Sequence, residues 1–455
     1  MKIRIAISTF LLAASSISHS QAVPTASTSM APGNSGLNFS PLDGVFHYAL
    51  SGSEVVQYGY FGPSQATYAT VLSGNAAYTA KSEARPFNMI FAGGVSLGNQ
   101  SGQGTTSFWN VEASQGYATR HWIFNISDAF SFLPQSPTTG LSGIPGVGDL
   151  GAIPVQGPAE GPAGGVLSNS GNRISNVLTG SVERQIDHAT SISGSGSWSV
   201  LHFLGENANN EGFDNTQISG TVALNRRLDG RSSVSLNAVY STINYSGTGT
   251  GFSGTGTGFV QPDIETRGLN VSYQRLLSRS FSVSVSAGPQ WVSSSNSTLV
   301  PSSLNAAATA SLSYSRGLTN ASVNYSHGVN AGSGVLAGGT ADTTYGSLSH
   351  SYGRNWVASL TASYSHTAGL TQVATGIPGA PTNQVAPTNQ VYDTVFGSAQ
   401  VTRRISTHFS GYVSYGAQNQ SNNFSIPGQN AINGTSQTFG VGITFSPRST
   451  RLGQF

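Results

Sequence analysis

The stretch GTGTGF occurs twice, at Gly247–Phe252 and Gly254–Phe259, and a glycine-rich loop of this kind could cradle a phosphate. Such a loop also needs a preceding strand, a following helix and a P-loop lysine. Neither copy has that context, so both read as loop sequence. The tandem APTNQV at Ala380–Val385 and Ala386–Val391 reads as expansion of another loop. Eight histidines beyond the first twenty-two residues (His47, His121, His188, His202, His327, His350, His366 and His408) show neither HExxH nor a paired metal spacing. Most stand near the ends of predicted strands and read as rim hydrogen-bonding groups. The chain has no cysteine, which excludes a disulfide framework, a thiolate nucleophile and a Cys-based metal site. Serine is abundant, yet nothing singles out a Ser-His-Asn set. No catalytic, cofactor-binding or metal-ligating residue is assigned, and no enzyme is expected.

What remains must come from the elements. In RSFSVSVSAGPQWVSSSN, Phe281, Val283, Val285, Ala287 and Trp291 alternate with Ser280, Ser282, Ser284, Ser286, Gly288 and Gln290. This period of two is that of a strand with one apolar and one polar face. The same pattern recurs around Trp198, Trp356, Phe409–Ala417 and Phe439–Phe445, and no amphipathic helix matches it in clarity. The chain is all-β. Only 8% of its residues are charged, against about 25% in an ordinary soluble protein. A net charge of +2 gives no support for a nucleic-acid partner.

Residues 1–22 read as a secretory signal peptide: Lys2 and Arg4, an apolar run from Ile5 to Ile17, and a small-x-small site at Ser20-Gln21-Ala22. Residues 23–42 are rich in Pro, Ser and Gly and read as an unstructured leader, with the folded unit at 43–455. Within that unit, strand pairs meet at short turns such as ATRHW, ERQIDHA, RRLDGRS, RLLSRS, SRGLTN, YGRNW and RRISTH. Long Gly/Ser/Asn/Pro-rich excursions separate the pairs, at Pro134–Asn172, Gly247–Pro262 and Ala368–Tyr392. Short turns at one end and long loops at the other predict a transmembrane antiparallel up-and-down β-barrel of about 18 strands, or sixteen if the first two are discounted.

Charge follows the same division. Of the Lys and Arg beyond the signal, all but Arg173 and Arg267 sit at the short turns or the C-terminal end, with Arg120, Arg184, Arg227, Arg279, Arg316, Arg354 and Arg404 marking a periplasmic rim. Most acids, among them Asp214, Glu265, Asp342 and Asp393, lie in or beside the long loops. Charge on a lipid-facing strand costs about 2–4 kcal/mol at the midplane and little at the interface, so it collects at the rims. Trp122 and Trp356 follow short turns, whereas Trp198 and Trp291 lie one membrane crossing further along, as two aromatic girdles would. Asp128 is the exception, in phase with Phe124, Ile126, Phe130 and Phe132 on an apolar face. A bulge turning it inward is the preferred reading; contact with a neighbouring subunit or a functional groove is the other.

In its signal peptide, turn-and-loop alternation and amphipathic last strand around Phe439–Phe445, the chain resembles the outer-membrane β-barrel proteins, and the porin-like barrels in particular. These features are architectural and specify fold better than function. The resemblance implies an outer-membrane location, contact with outer-membrane lipid and recognition by the barrel-assembly machinery, with the strand ending at Phe445 as the signal. It also implies a homo-trimer. In porins the third external loop folds inward, which here would make residues 134–171 a constriction carrying Asp149 and Glu160. A surface-packed external loop is the equal alternative. The expected function is passive diffusion of small polar solutes with weak charge selectivity. A non-conducting surface-display barrel, a polysaccharide export channel and a soluble secreted β-protein are the competing expectations.

Overall fold

The computed structural model describes residues 45–59, 66–79, 85–98, 105–135, 171–204, 214–246, 263–297, 300–330, 338–370, 390–423, 433–447 and 450–451. The expected signal, the leader and most of the third external loop lie outside these residues. The strands are β1 (Val45–Gly59), β2 (Ala66–Thr79), β3 (Phe87–Gly98), β4 (Thr105–Ala118), β5 (Trp122–Gln135) and β6 (Gly171–Gln185). They continue as β7 (Thr190–Leu204), β8 (Asp214–Arg227), β9 (Ser232–Ser246), β10 (Ile264–Leu276), β11 (Phe281–Ser294) and β12 (Ser303–Arg316). The remainder are β13 (Thr319–Asn330), β14 (Gly339–Tyr352), β15 (Trp356–Gly369), β16 (Val391–Arg404), β17 (Phe409–Asn422), β18 (Gly434–Phe445) and the two-residue β19 (Thr450–Arg451).

Each of the first seventeen strands pairs antiparallel with the next, and β18 returns to β1, from Leu50↔Phe445 to Gly59↔Ser436. The sheet is therefore a closed up-and-down barrel with eighteen principal strands. The two strands least distinct in sequence are full members, paired from Phe46↔Tyr78 to Tyr58↔Ala66. The short segment β19 was not expected. It rejoins β1 through Val45↔Arg451 and Phe46↔Thr450, with one residue inserted on its side relative to the β18 register.

Burial runs opposite to that of a protein folded in water. Val222 and Ile443 are 61% and 57% exposed, whereas Thr367, Thr394 and Gln420 are fully buried. Along β11 the odd-numbered residues from Phe281 to Trp291 face outward, and Ser282, Ser284, Ser286 and Gln290 face inward. Along β18, Phe439, Val441 and Ile443 point out while Ser436, Thr438 and Thr444 point in. Gly442 faces inward by the same alternation, and it is glycine because Tyr412 of the paired strand lies over it: a Cβ there would meet the Tyr412 ring at 2.5 Å.

Five of the short turns share one local device, a side-chain oxygen that accepts the backbone N–H three residues on. Thr119 caps Trp122 at 3.0 Å, Ser278 caps Phe281 at 3.1 Å and Ser406 caps Phe409 at 3.2 Å. Asp187 caps Thr190 at 2.8 Å and Ala189 at 2.6 Å, and Asp229 caps Ser232 at 2.7 Å and Arg231 at 2.6 Å. These are the Asx and hydroxyl turns that Asp, Ser and Thr favour. The hairpin between β12 and β13 is tighter still. Only Gly317 and Leu318 separate the paired Arg316 and Thr319, and Gly317 has φ +60°.

Two outcomes follow from the turns. A Cβ at Gly317 would meet open space, so Gly317→Ala isolates the strain of a left-handed residue and should cost about 1–2 kcal/mol, read from the urea unfolding midpoint of the reconstituted barrel. Backbone amides, Ala189's foremost, hold the Asp187 carboxyl below its usual range; the Ser232 hydroxyl and then the Arg231 amide do so for Asp229. Because folding lowers these pKa values, their stabilisation is complete above the unfolded value and is lost as pH falls through the folded one. The D187N/D229N variant should therefore show a shallower fall in unfolding midpoint than the native chain below about pH 4.

Candidate channel lumen

The inner wall is built from the inward set of every strand, and most of its side-chain bonds run around the circumference from strand to strand. Asn237 of β9 donates to Ser272 of β10 at 2.7 Å, and Ser272 donates to Ser286 of β11 at 3.0 Å. Ser284 meets Ser311 at 2.9 Å, Ser322 meets Ser347 at 2.8 Å, Thr361 meets Ser398 at 2.6 Å and Ser197 meets Ser219 at 2.7 Å. Directly paired residues on one face stand close enough for such hydroxyl pairs. The wall is neutral, polar and hydrogen-bonded to itself.

One group breaks that neutrality. Glu112, from the polar face of β4 that also carries Asn110 and Ser114, points inward between Ile90 of β3 and Ala129 of β5. Among the described residues it is the carboxylate on the inner wall away from both rims. The signal for it was present in NVEASQ, where Glu112 alternates with outward Val111 and Ala113. The expected constriction acids, Asp149 and Glu160, lie outside the described residues.

At the long-loop end one sector of the inner wall, around β9 to β13, is apolar. Ile243, Ile264, Val292 and Val329 are buried together, with Tyr245 and Leu370 packed against them. Gly338, just before β14, sits so close to Ile264 of β10 that a Cβ would lie 2.4 Å from its Cδ1. The Leu370 amide then donates to the Gly338 carbonyl at 3.1 Å. The segments flanking β14 and β15 thus reach across three intervening strands and narrow the mouth on that side. The period-two pattern could not reveal this contact, because the inward positions involved are apolar rather than serine.

The outer face holds the remaining expected residues. Trp122, Trp198, Trp291 and Trp356 all project outward, the first and last at short-turn ends and the other two towards the long-loop side. The Arg184 guanidinium lies 5.3 Å from the Trp122 ring centre and that of Arg403 lies 5.1 Å from the Trp356 ring centre. Arg120, Arg279 and Arg354 occupy turns, while Arg227, Arg316 and Arg404 end their strands. Trp109, which the sequence reading passed over, also faces outward and stacks on Phe130 at 4.9 Å.

Three histidines are held by carboxylates on the exterior near the long-loop rim. His202 pairs with Asp214, His327 with Asp342 at 2.8 Å, and His366 with Asp393 at 2.8 Å. Tyr325 and Tyr364 donate to the same two aspartates at 2.7 and 2.8 Å. No group of three or more His, Asp or Glu among the described residues could hold a metal ion.

Asp128 does not turn inward. Its strand pairs without interruption on both sides, Asp128↔Ala113 and Asp128↔Leu178, so the bulge expected there is absent. The carboxylate stays on the outer face, exposed, and accepts a hydrogen bond from Asn176 at 3.0 Å. An unbroken ladder outweighs the cost of one outward carboxylate, because a bulge would shift every later residue of β5 onto the wrong face.

A closed antiparallel barrel with an apolar exterior and a polar interior defines a transmembrane β-barrel, porin-like in architecture. No protein-family model and no curated protein matches the sequence. Among solved structures the chain is similar to Pseudomonas aeruginosa OccK2 (OpdF), with a TM-score of 0.42, 10% identity, and coverage of 88% of this chain and 98% of that one. OccK3 (OpdO) from the same organism gives 0.41, 10%, 89% and 97%. The ferric enterobactin receptor PfeA of Pseudomonas aeruginosa, a mutant in complex with enterobactin, gives 0.42, 9%, 89% and 81%. Scores at this level add nothing to the architecture already described.

The assignment of faces has a direct test. Val285→Arg, on the outer face of β11, should cost about 2–4 kcal/mol in bilayers. Ser284→Arg, one residue away on the inner wall, should leave the unfolding midpoint close to native.

Proposed function

We propose that this chain is a passive outer-membrane channel for small polar solutes, with weak charge selectivity. The observation that carries the reading is the inner wall: serine, threonine, asparagine and glutamine around a closed ring of eighteen strands, with Glu112 as its inner carboxylate. Sixteen- to eighteen-stranded porins leave an aqueous channel. A neutral wall exchanges a solute's water hydrogen bonds for hydroxyl and amide ones with little preference among polar cargoes. The tryptophans would mark the two membrane interfaces, with Arg184 and Arg403 held against one of them. Assembly machinery acting on the strand that ends at Phe445 belongs to the same proposal.

A second reading has its own observation. The cluster of Ile243, Ile264, Val292 and Val329 under Gly338 and Leu370 narrows the mouth with apolar contacts, as a non-conducting surface-display barrel would. Planar-bilayer recordings of the purified protein separate the two. The channel reading expects stable openings with a cation preference of a few-fold at most, and Glu112→Gln should move the reversal potential towards chloride. A membrane silent at every voltage would reject the channel and favour the display barrel.

A further inference from the structure

The outer wall carries one feature that conduction does not use. On β6, β7 and β8, the outward residues Gly180, Gly196 and Gly220 are paired directly across the strands, and Gly194 stands one step below. They floor an outward groove of about 970 Å³. On one side the groove is walled by a ridge of Tyr117, Phe124 and Ile126 from β4 and β5, and on the other by Val222 and Tyr240. No close approach within the chain demands these glycines. A Cβ at Gly180 would meet nothing within 4 Å, and those at Gly194, Gly196 and Gly220 would make only ordinary contacts at 3.8, 3.7 and 3.9 Å.

Directly beside the groove lie Asp128 and Asn176. Both lie within their strands, between the two rims, with Asp128 in the register row that runs through Leu178 to Trp198. Hydrocarbon can fill a glycine-floored groove, but it offers nothing to a carboxylate and an amide at that depth. A protein surface does, and this chain's own surface has the matching parts. Ile126, paired directly with Gly180, brings an outward ridge to the level of the glycines, and Phe124 continues it towards the short-turn rim. Two copies in one membrane share one orientation, so surfaces at one level meet surfaces at the same level. Seating the ridge of one copy in the groove of another brings Asp128 and Asn176 of each towards the partner's pair, where carboxylate acceptors and amide donors match.

We infer that the face formed by β4–β9 is a self-association surface, on which a second copy of this chain docks its Phe124–Ile126 ridge into the Gly180–Gly196–Gly220 groove. The contact is independent of whether the lumen conducts.

The absence of native cysteine makes the test clean. In intact outer membranes, mild oxidation of the I126C/G196C variant should give a cross-linked pair of chains. Within one copy the two positions are two strands apart, roughly 10 Å at the strand spacing and beyond disulfide reach. L360C, exposed on β15, should give none. Gly196→Leu, which fills the groove without a clash inside the chain, should leave the barrel folded and heat-modifiable. It should lower the fraction of associated chains in native mass measurements about tenfold. The inference is overturned by a native chain that is monomeric in those measurements, by monomers that retain a lipid in the groove, or by cross-links only to other proteins. Unchanged association in a folded Gly196→Leu barrel overturns it as well.

Discussion

The constraint on which the structure rests is that backbone N–H and C=O groups in hydrocarbon must find partners within the protein. A sheet satisfies this only when it has no edge, and here the closing pair is β1 with β18, the strands most distant in sequence. That pairing also places the start of β1 and the end of β18 at the short-turn rim. The added contact of β19 with Val45 and Phe46 extends the seam beyond the end of β18. Closure leaves each strand two environments and assigns them to alternate residues, so the chemistry of the wall is decided by parity.

Parity explains why so much of the fold was legible. Serine stripes facing Val, Phe and Trp marked the strands, and capping residues such as Asp187, Asp229, Ser278 and Ser406 marked the turns, because each effect is local. The strands drawn from sequence agree with those observed to within a few residues. On the loop side the closed sheet adds pairing that alternation alone does not mark, as where Ser303 of β12 faces Val292. The mouth was not legible. Ile264, Gly338 and Leu370 meet through the curvature of the closed sheet, and nothing in a window of sequence brings β10 to the segments flanking β14 and β15.

The exterior polar groups show how much a membrane-facing wall tolerates and where. His327, Asp342, His366 and Asp393 lie in one register row across β13 to β16, alternating in type and linked by hydrogen bonds to Tyr325 and Tyr364. The row stands near the long-loop rim, where polar groups are inexpensive. On β10, Arg267 pairs with Glu265 at 3.1 Å, and Tyr240 of β9 donates to that carboxylate at 3.2 Å. Arg267, one of the two basic residues that sequence placed on the loop side, thus stands beside a carboxylate at the same rim.

Asp128 and Glu112 bring these arguments to a single point of the wall. They belong to neighbouring strands, and each is paired with the other's chain neighbour: Asp128 with Ala113, Glu112 with Ala129. One residue of register therefore separates a carboxylate in the lumen from one on the outer surface. In the proposed channel, Glu112 would be the inner wall's carboxylate nearest to a passing solute. On the outer surface, Asp128 has Asn176 and must find the rest of its solvation elsewhere. A slip of one residue in β4 or β5 would exchange the two environments, but it would also turn Trp109, Phe124, Ile126 and Phe130 into the lumen and their serine neighbours into hydrocarbon. The apolar majority of these strands holds the register, and the two carboxylates take the faces that majority leaves them. Glu112 falls on the polar wall of the lumen, beside Asn110 and Ser114. Asp128 falls where a bare barrel gains nothing from it, which is the physical reason to look for a protein surface opposite.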